Sequence, residues 1–126
     1  MKNKNKLLRA EADKLWREVV IKKYGDKCEV CGKPAIHCHH FYPKGLFSHL
    51  RFDIENGVPL CFHCHFSRHH KGDPTVNETI IEKRGKEWYN KLKEKAQEKH
   101  RSYQTTGYYY DIIEGLQEKL KENTPR

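Results

Sequence analysis

The chain has 126 residues, of which 36% are hydrophobic and 33% are charged, and its formal net charge is +8. This length fits one domain, or a small core with helical additions. No stretch approaches the roughly 18 apolar residues that a membrane-spanning helix needs, and there is no apolar signal-peptide core. We therefore expect a cytoplasmic protein that contacts no membrane, in which reduced cysteines bind metal instead of forming disulfides.

The positive charge is concentrated at the start of the chain. Residues 1–27 hold nine Lys or Arg against four Asp or Glu, whereas residues 72–126 hold eleven against ten. A basic segment suits a polyanionic partner such as nucleic acid, although lysines that serve only solubility would give the same composition.

A first helix is predicted from about Leu7 to Tyr24, with Gly25 as its end. Its apolar residues recur at three- and four-residue spacing, which is typical of a helix with one buried face. The opposite face carries basic residues, namely Lys14, Arg17, Lys22 and Lys23. This helix either only packs on the core or also lies along phosphates.

Four cysteines form two Cys-x2-Cys pairs, Cys28 with Cys31 and Cys61 with Cys64. Four thiolates are the ligand set of a closed, tetrahedral structural zinc site, which has no open position for chemistry. Such a site would also compensate for the small hydrophobic content of the chain. Cys38 is left over, and we expect a small buried residue or a spare thiol at that position.

Between and after these pairs the sequence predicts a strand, a loop, a second strand and a helix. The strand runs from Ala35 to Tyr42 and the loop from Gly45 to Glu55. The returning strand is Gly57 to Leu60, with Pro59 restricting it to an edge. The helix runs from about Phe62 to His70.

Two further helices are predicted after the cysteine-containing segment. The first runs from Thr75 to about Arg101, where Gly85 lowers helix propensity and is a candidate bend. The second runs from about Tyr108 to Asn123. Helices of this kind usually serve as scaffold or as a dimer surface, so a homodimer through them is a candidate assembly.

Most of the nine histidines lie between His37 and His70. His65 and His69 stand four residues apart on a predicted helix, so they share one face and could bind one metal ion. His39 or His40 could supply a third ligand, and the other would then be free to act as a base near neutral pH. The alternative is a second structural metal.

His40, Asn56 and His65, beside the two cysteine pairs, resemble the HNH endonuclease motif in its zinc-bearing, four-cysteine form. The resemblance implies a ββα-metal unit, in which two strands and a helix surround one catalytic divalent ion. It implies that His39, His65 and His69 bind this ion and that His40 is the general base. Asn56 would fix the loop and the orientation of the base.

The activity implied by this resemblance is metal-dependent hydrolysis of phosphodiester bonds in DNA, leaving 5′-phosphate and 3′-hydroxyl ends. Three imidazole ligands favour Mn²⁺, Ni²⁺ or Zn²⁺ as the catalytic ion, and Mg²⁺ becomes suitable if only two histidines bind. His70 lies one step off the shared helix face and is the weaker candidate for the last ligand. Lys44, Arg51 and Arg68 are candidate DNA contacts.

A longer and weaker resemblance extends to the phage NinG recombination nucleases. It rests on the Cys-x-His pair at Cys38, the segment His49-Leu-Arg-Phe52 and the Lys/Glu-rich end of the chain. It implies a phage or phage-derived enzyme acting on double-stranded or branched DNA, but the pair His39-His40 departs from that pattern. A rival interpretation is a non-catalytic zinc module that binds DNA or protein.

Taken together, these patterns predict an α+β fold with three parts. A basic N-terminal helix occupies residues 1–27, and a ββα-metal core with its four-cysteine zinc site occupies residues 28–72. Residues 73–126 form an extension of two helices.

Overall fold

The computed structural model describes residues 2–98 and 104–122. Its elements, in chain order, are α1 (Lys2–Tyr24), β1 (His37–His40), two short 3-10 turns (Ser48–Leu50 and Ile54–Asn56), β2 (Gly57–Leu60), a π-helical segment (His63–His69), α2 (Thr75–Arg84), α3 (Lys86–Gln97) and α4 (Thr106–Lys121). The predicted α+β class is confirmed. None of the helices described here is long and apolar enough to cross a membrane.

The first helix ends at Tyr24 as predicted, but it begins at Lys2 and not at Leu7. Lysine is a good helix former, so the polar start of the chain can extend the helix. The extension is also held by α4, because the Thr106 hydroxyl donates a hydrogen bond of 2.5 Å to Asn5 Oδ1. Helix α1 therefore packs along α4 over most of its length.

The two strands form an antiparallel hairpin in which His37 pairs with Leu60 and His40 with Gly57. Strand β2 has the predicted bounds, whereas β1 is shorter than the predicted Ala35–Tyr42. Beyond His40 the backbone leaves the ladder, because the N–H of Tyr42 bonds to the Asn56 side chain. The first 3-10 turn lies inside the predicted loop, and the second extends one residue beyond its predicted end at Glu55.

The helix predicted from Thr75 to Arg101 is wrong as a single element, because it divides into α2 and α3 at Gly85. Gly85 has φ +94°, a conformation that glycine adopts without the steric penalty of a side chain. The predicted ends at Arg101 and Asn123 lie outside the described residues.

The buried side chains form two clusters. One surrounds the cysteine pairs and includes residues of β2, α2 and α3, and the other joins α1 to α4. Gly57 lies where they meet: a Cβ atom there would be 2.4 Å from Val20 Cγ2 and 2.8 Å from Trp16 Cζ2. The missing side chain lets α1 approach β2 closely and places Trp16 beside the hairpin.

Arg84, the last residue of α2, joins several parts of the core. Its guanidinium forms a buried ion pair with Glu29 and donates to the carbonyls of Glu55 (3.2 Å) and Gly57 (2.7 Å). Its Cζ also lies 3.5 Å from the ring centroid of Tyr24. One side chain therefore connects the first cysteine pair, the loop, β2 and the end of α1.

Candidate functional site

The four cysteines of the two pairs converge on one point. Their Sγ atoms all lie within 4.8 Å of one another, and theirs is the single group of this kind in residues 2–98 and 104–122. Cys28, Cys61 and Cys64 are buried, whereas Cys31 is exposed. Four thiols at such distances have the composition and closeness of a structural zinc site.

The electrostatics of the cluster also favour a bound cation. Burial and the neighbouring thiols raise the pKa of Cys64 to about 12. Burial acts in the same direction at Cys28, but backbone N–H donors, among them those of Cys61 and Cys31, lower its pKa to about 7. A divalent ion would remove the mutual repulsion of the thiolates, so these residues fit a metal.

Arg68 lies beside this cluster. Its Nη1 is 3.9 Å from Cys64 Sγ, its Nε donates to Asp73 (3.0 Å) and its Nη2 donates to the hydroxyl of Thr75 (2.7 Å). The guanidinium therefore already has partners. One of them, the thiol of Cys64, was not predicted from the sequence. The predicted contact of Arg68 with DNA stays a prediction.

Three histidines meet between β1 and the π-helical segment. Strand β1 brings His39, and the π segment brings His65 and His69. The ring centroid of His39 is 5.2 Å from that of His65 and 4.1 Å from that of His69. His39 Nε2, His65 Nδ1 and His69 Nδ1 are buried and have no hydrogen-bond partner. Buried polar atoms are rarely left unpaired, so three unpaired imidazole nitrogens in one place indicate a missing ligand.

The protonation of these histidines supports the same conclusion. Burial, together with the neighbouring imidazoles, lowers the pKa of His39 to about 2 and that of His65 to about 4. Burial also lowers the pKa of His69. All three are neutral at pH 7 and have lone pairs available, which is the form that binds a divalent metal. The ligand atoms of these three histidines lie farther apart than those of the cysteines, since they are not all within 4.8 Å of one another.

His65 and His69 lie on a π-helical segment instead of the predicted α-helix from Phe62 to His70. The N–H of His70 accordingly bonds to the carbonyl of His65, five residues earlier, at 3.1 Å. Single π turns are often found at functional sites. The His70 ring lies 4.6 Å from that of His65 and 5.8 Å from that of His69, and neither of its nitrogens is among the buried unpaired atoms.

His40 faces a different environment from His39, its neighbour in β1. Its Nε2 lies 2.9 Å from the carbonyl oxygen of Arg51. A carbonyl only accepts hydrogen bonds, so Nε2 carries the proton and Nδ1 keeps its lone pair. The ring stacks on Trp16, and burial lowers the pKa of His40. Trp16 was not identified from the sequence as a residue of this site, since only the folded packing of α1 brings it there.

Asn56 is fully buried and bridges the two ends of the loop. Its Oδ1 accepts from the N–H of Tyr42 (2.8 Å), while its Nδ2 donates to the carbonyls of Tyr42 (3.1 Å) and Leu50 (3.2 Å). Its own carbonyl accepts from the N–H of Phe41 at 2.9 Å. Asn56 makes no direct bond to His40.

The histidines open into a cavity of about 680 Å³ that also contains Lys44 and residues of α1. Lys44 is exposed at this cavity. Arg51, the third residue predicted to contact DNA, is bound by Asp13 through two hydrogen bonds of 3.1 and 2.9 Å. Cys38 also lines the cavity and is half-buried, with its thiol 3.8 Å from the carbonyl of Arg17.

A two-stranded hairpin and a following helical segment, which carry a histidine cluster and a four-cysteine cluster, define the ββα-metal class of fold. Residues 28–71 match the family model described as HNH endonuclease. This match confirms the resemblance seen in the sequence for that part of the chain, and it suggests nuclease activity with DNA as the partner. No curated protein and no solved structure gives a significant match to the chain.

Proposed function

We propose that this protein is a metal-dependent DNA endonuclease that hydrolyses phosphodiester bonds. The observation that carries the proposal is the arrangement of four histidines at one cavity. Three present buried nitrogens without partners, and the fourth, His40, has one nitrogen anchored and the other free. Together with the HNH match, this supports a metal site and a base side by side.

In this proposal His39, His65 and His69 hold the divalent ion, and their neutral imidazoles favour Mn²⁺, Ni²⁺ or Zn²⁺, with Mg²⁺ suitable if only two of them bind. When bound, such an ion would neutralise charge on the phosphate and stabilise the departing oxygen.

His40 is the proposed general base. Its Nε2–H donates to the Arg51 carbonyl and its ring lies against Trp16, so the orientation of Nδ1 is restricted. In the proposed step Nδ1 takes a proton from the water that attacks phosphorus, and the imidazolium then releases this proton to solvent. The phosphorus–oxygen bond to the departing 3′ oxygen breaks and this oxygen takes up a proton from solvent, which leaves 5′-phosphate and 3′-hydroxyl ends.

Asn56 is proposed as a positioning residue. By bonding to Tyr42 and Leu50 it closes the loop that contains Arg51, whose carbonyl holds His40. Residues 28–72 would thus form the nuclease core, with the helices before and after it as support. A phage origin, a preference for branched DNA and a homodimer through the C-terminal helices are parts of the proposal that rest on the sequence alone.

The test is cleavage of supercoiled plasmid and of a labelled branched duplex in Mg²⁺, Mn²⁺, Ni²⁺ or Zn²⁺. The wild type is compared with His40→Ala and His69→Ala, and with His63→Ala as an exposed histidine of the same segment. We expect metal-dependent cleavage that is lost in His40→Ala, falls at least about tenfold in His69→Ala and is unchanged in His63→Ala. Equal activity in all four proteins would contradict the proposed roles.

A second candidate is a non-catalytic zinc module that binds DNA. It is favoured by one observation, namely that the cysteines are the single tight metal-binding group in the described part of the chain. Absence of cleavage with every metal, while duplex DNA still binds and the four-cysteine metal stays in place, would support this candidate over the nuclease.

A further inference from the structure

Two groups of basic residues on α1 differ in their partners in the folded protein. The first group already has partners. Lys22 donates to the carbonyls of Lys119 (3.1 Å) and Leu120 (2.9 Å) at the end of α4, and Lys23 pairs with Glu55 at 2.5 Å. These two lysines, which the sequence grouped with the possible phosphate contacts, therefore have structural roles.

The second group consists of Lys6, Lys14 and Arg17. All three are exposed, and their side chains form no ion pair or hydrogen bond with any residue that the structure describes. Their spacings of eight and three residues place them on one side of α1. From Lys6 to Arg17 this strip extends about 16 Å along the helix axis, at about 1.5 Å per residue.

One end of the strip reaches the histidine cavity, because Arg17 is part of the cavity wall. The single carboxylate in that wall, among the residues described, belongs to Asp13, and Arg51 neutralises it. The Arg and Lys side chains of the wall that have no counter-ion are those of Arg17 and Lys44. Arg17 thus joins the strip to the cavity, and both carry positive charge without a counter-ion, to which a phosphate chain is complementary.

We propose that the strip of Lys6, Lys14 and Arg17 binds the phosphate backbone of duplex DNA, holding the strand that leads into the histidine cavity. The proposal rests on the proposed function for its choice of DNA. It adds that α1, which lies outside the HNH segment, supplies the contacts that align the duplex. Because contacts of this kind read no bases, binding should be independent of sequence and strongly dependent on salt.

The test compares two triple variants that lose the same charge. The strip variant carries Lys6→Gln, Lys14→Gln and Arg17→Gln. The control variant carries Lys86→Gln, Lys119→Gln and Lys121→Gln, which change exposed lysines of α3 and α4 outside the cavity wall. Both are made together with His40→Ala, so that the duplex stays intact. Glutamine keeps helix propensity close to that of lysine and arginine, and circular dichroism checks that α1 is retained.

The readout is the Kd for a fluorescein-labelled duplex, measured by anisotropy over a range of salt concentrations. We expect the strip variant to bind about tenfold or more weakly near 0.1 M salt, and its slope of log Kd against log salt to fall by about 3, while the control changes little. Equal losses in the two variants, no loss in the strip variant, or no binding by the parent protein would each overturn the proposal.

Cleavage by the corresponding proteins with His40 intact separates this proposal from the proposed function. If the chain with its strip intact cleaves plasmid but the strip variant binds duplex normally, the strip proposal fails and the nuclease stands. If the protein with its strip intact cleaves no DNA with any metal, the proposed nuclease function is wrong. The strip proposal still holds in that case, provided that the strip variant binds duplex more weakly than the control variant.

Discussion

Trp16 of α1 lies face to face with His40 of β1, with ring centroids 4.2 Å apart and planes inclined by 5°. The same indole donates its Nε1–H to the carbonyl of Asp53, at 2.9 Å, in the loop that follows β1. One residue outside the segment that matches the HNH family thus fixes both the proposed base and its loop. The HNH segment therefore depends on α1 for its geometry.

Replacing Trp16 by Leu should release the His40 ring. Trp16→Phe preserves a stacked ring but removes the Nε1–H donor, so it should cost about 1–3 kcal/mol of unfolding free energy. In an NMR spectrum the ring-current shift of the His40 protons should be lost in Trp16→Leu and largely kept in Trp16→Phe. Trp88→Phe removes a comparable indole bond, to the carbonyl of Glu55, and should leave the His40 signals in place.

Gly57→Ala should destabilise the protein, because the added Cβ would lie 2.4 Å from Val20 Cγ2. Overpacking of this kind costs about 1–3 kcal/mol. Gly115→Ala provides the matched comparison, since Gly115 is inside α4 and a Cβ there meets nothing within 4 Å. That change should stabilise by about 0.5–1 kcal/mol. Urea unfolding measures both, and a Gly57→Ala protein as stable as the wild type would disprove the close approach of α1 to β2.

Asn56→Ala removes three side-chain hydrogen bonds and leaves the N–H of Tyr42 buried without its acceptor. We expect a loss of about 2–4 kcal/mol in unfolding free energy, and faster hydrogen exchange at the Tyr42 amide. Asn77→Ala serves as the control, because the buried Oδ1 of Asn77 has no partner to lose. Similar losses in the two variants would show that the bonds of Asn56 contribute little.

Arg84→Met should cost about 3–5 kcal/mol, because it leaves the carboxylate of Glu29 buried without its counter-ion. The side chains of this pair are only 5% and 12% exposed. The double variant Arg84→Met, Glu29→Met should recover part of the loss. Lys91→Met breaks an exposed ion pair with Glu87 and should cost less than about 1 kcal/mol. Thermal denaturation of the four proteins tests this order.

Cys61→Ser should abolish tight binding of the structural metal and destabilise the hairpin, because the free energy of binding at such a site is also free energy of folding. Metal analysis should find zinc in the wild type and in Cys38→Ser, and lose it in Cys61→Ser. Removing the metal from the wild type with a strong chelator should destabilise the hairpin in the same way. Circular dichroism should show this as a loss of ellipticity in both proteins. Zinc retained by Cys61→Ser would show that the four-cysteine cluster is not the metal site.

Features with a local signature could be predicted from the sequence. The paired cysteines form the expected cluster because each Cys-x2-Cys turn brings two thiols together before any tertiary contact forms. The bounds of β2 followed from Gly57 and Leu60, which limit a short apolar run. His65 and His69 lie on the same side of their segment even though it is π-helical, since a four-residue step is close to one turn in either helix type.

Features that depend on long-range packing were not predictable in this way. Nothing in the local sequence connects Asp13 to Arg51, yet this pairing removes Arg51 from the free positive charge at the cavity. In the sequence, the break at Gly85 was visible only as a position of low helix propensity. In the folded chain the helix is interrupted there, with φ +94° at Gly85, and Arg84 just before it is held by Glu29 and by backbone carbonyls.

The 29 residues between Cys31 and Cys61 form a loop that a metal held by the four cysteines would close, beside the ladder of β1 and β2. Closing a loop of this length costs about 3 kcal/mol of chain entropy, beyond a constant term. His39 and His40 lie inside this loop, whereas His65 and His69 follow the second cysteine pair. During synthesis the histidine site therefore cannot assemble before the second pair has left the ribosome. The order of residues along the chain would thus delay any nuclease activity until the whole core is made.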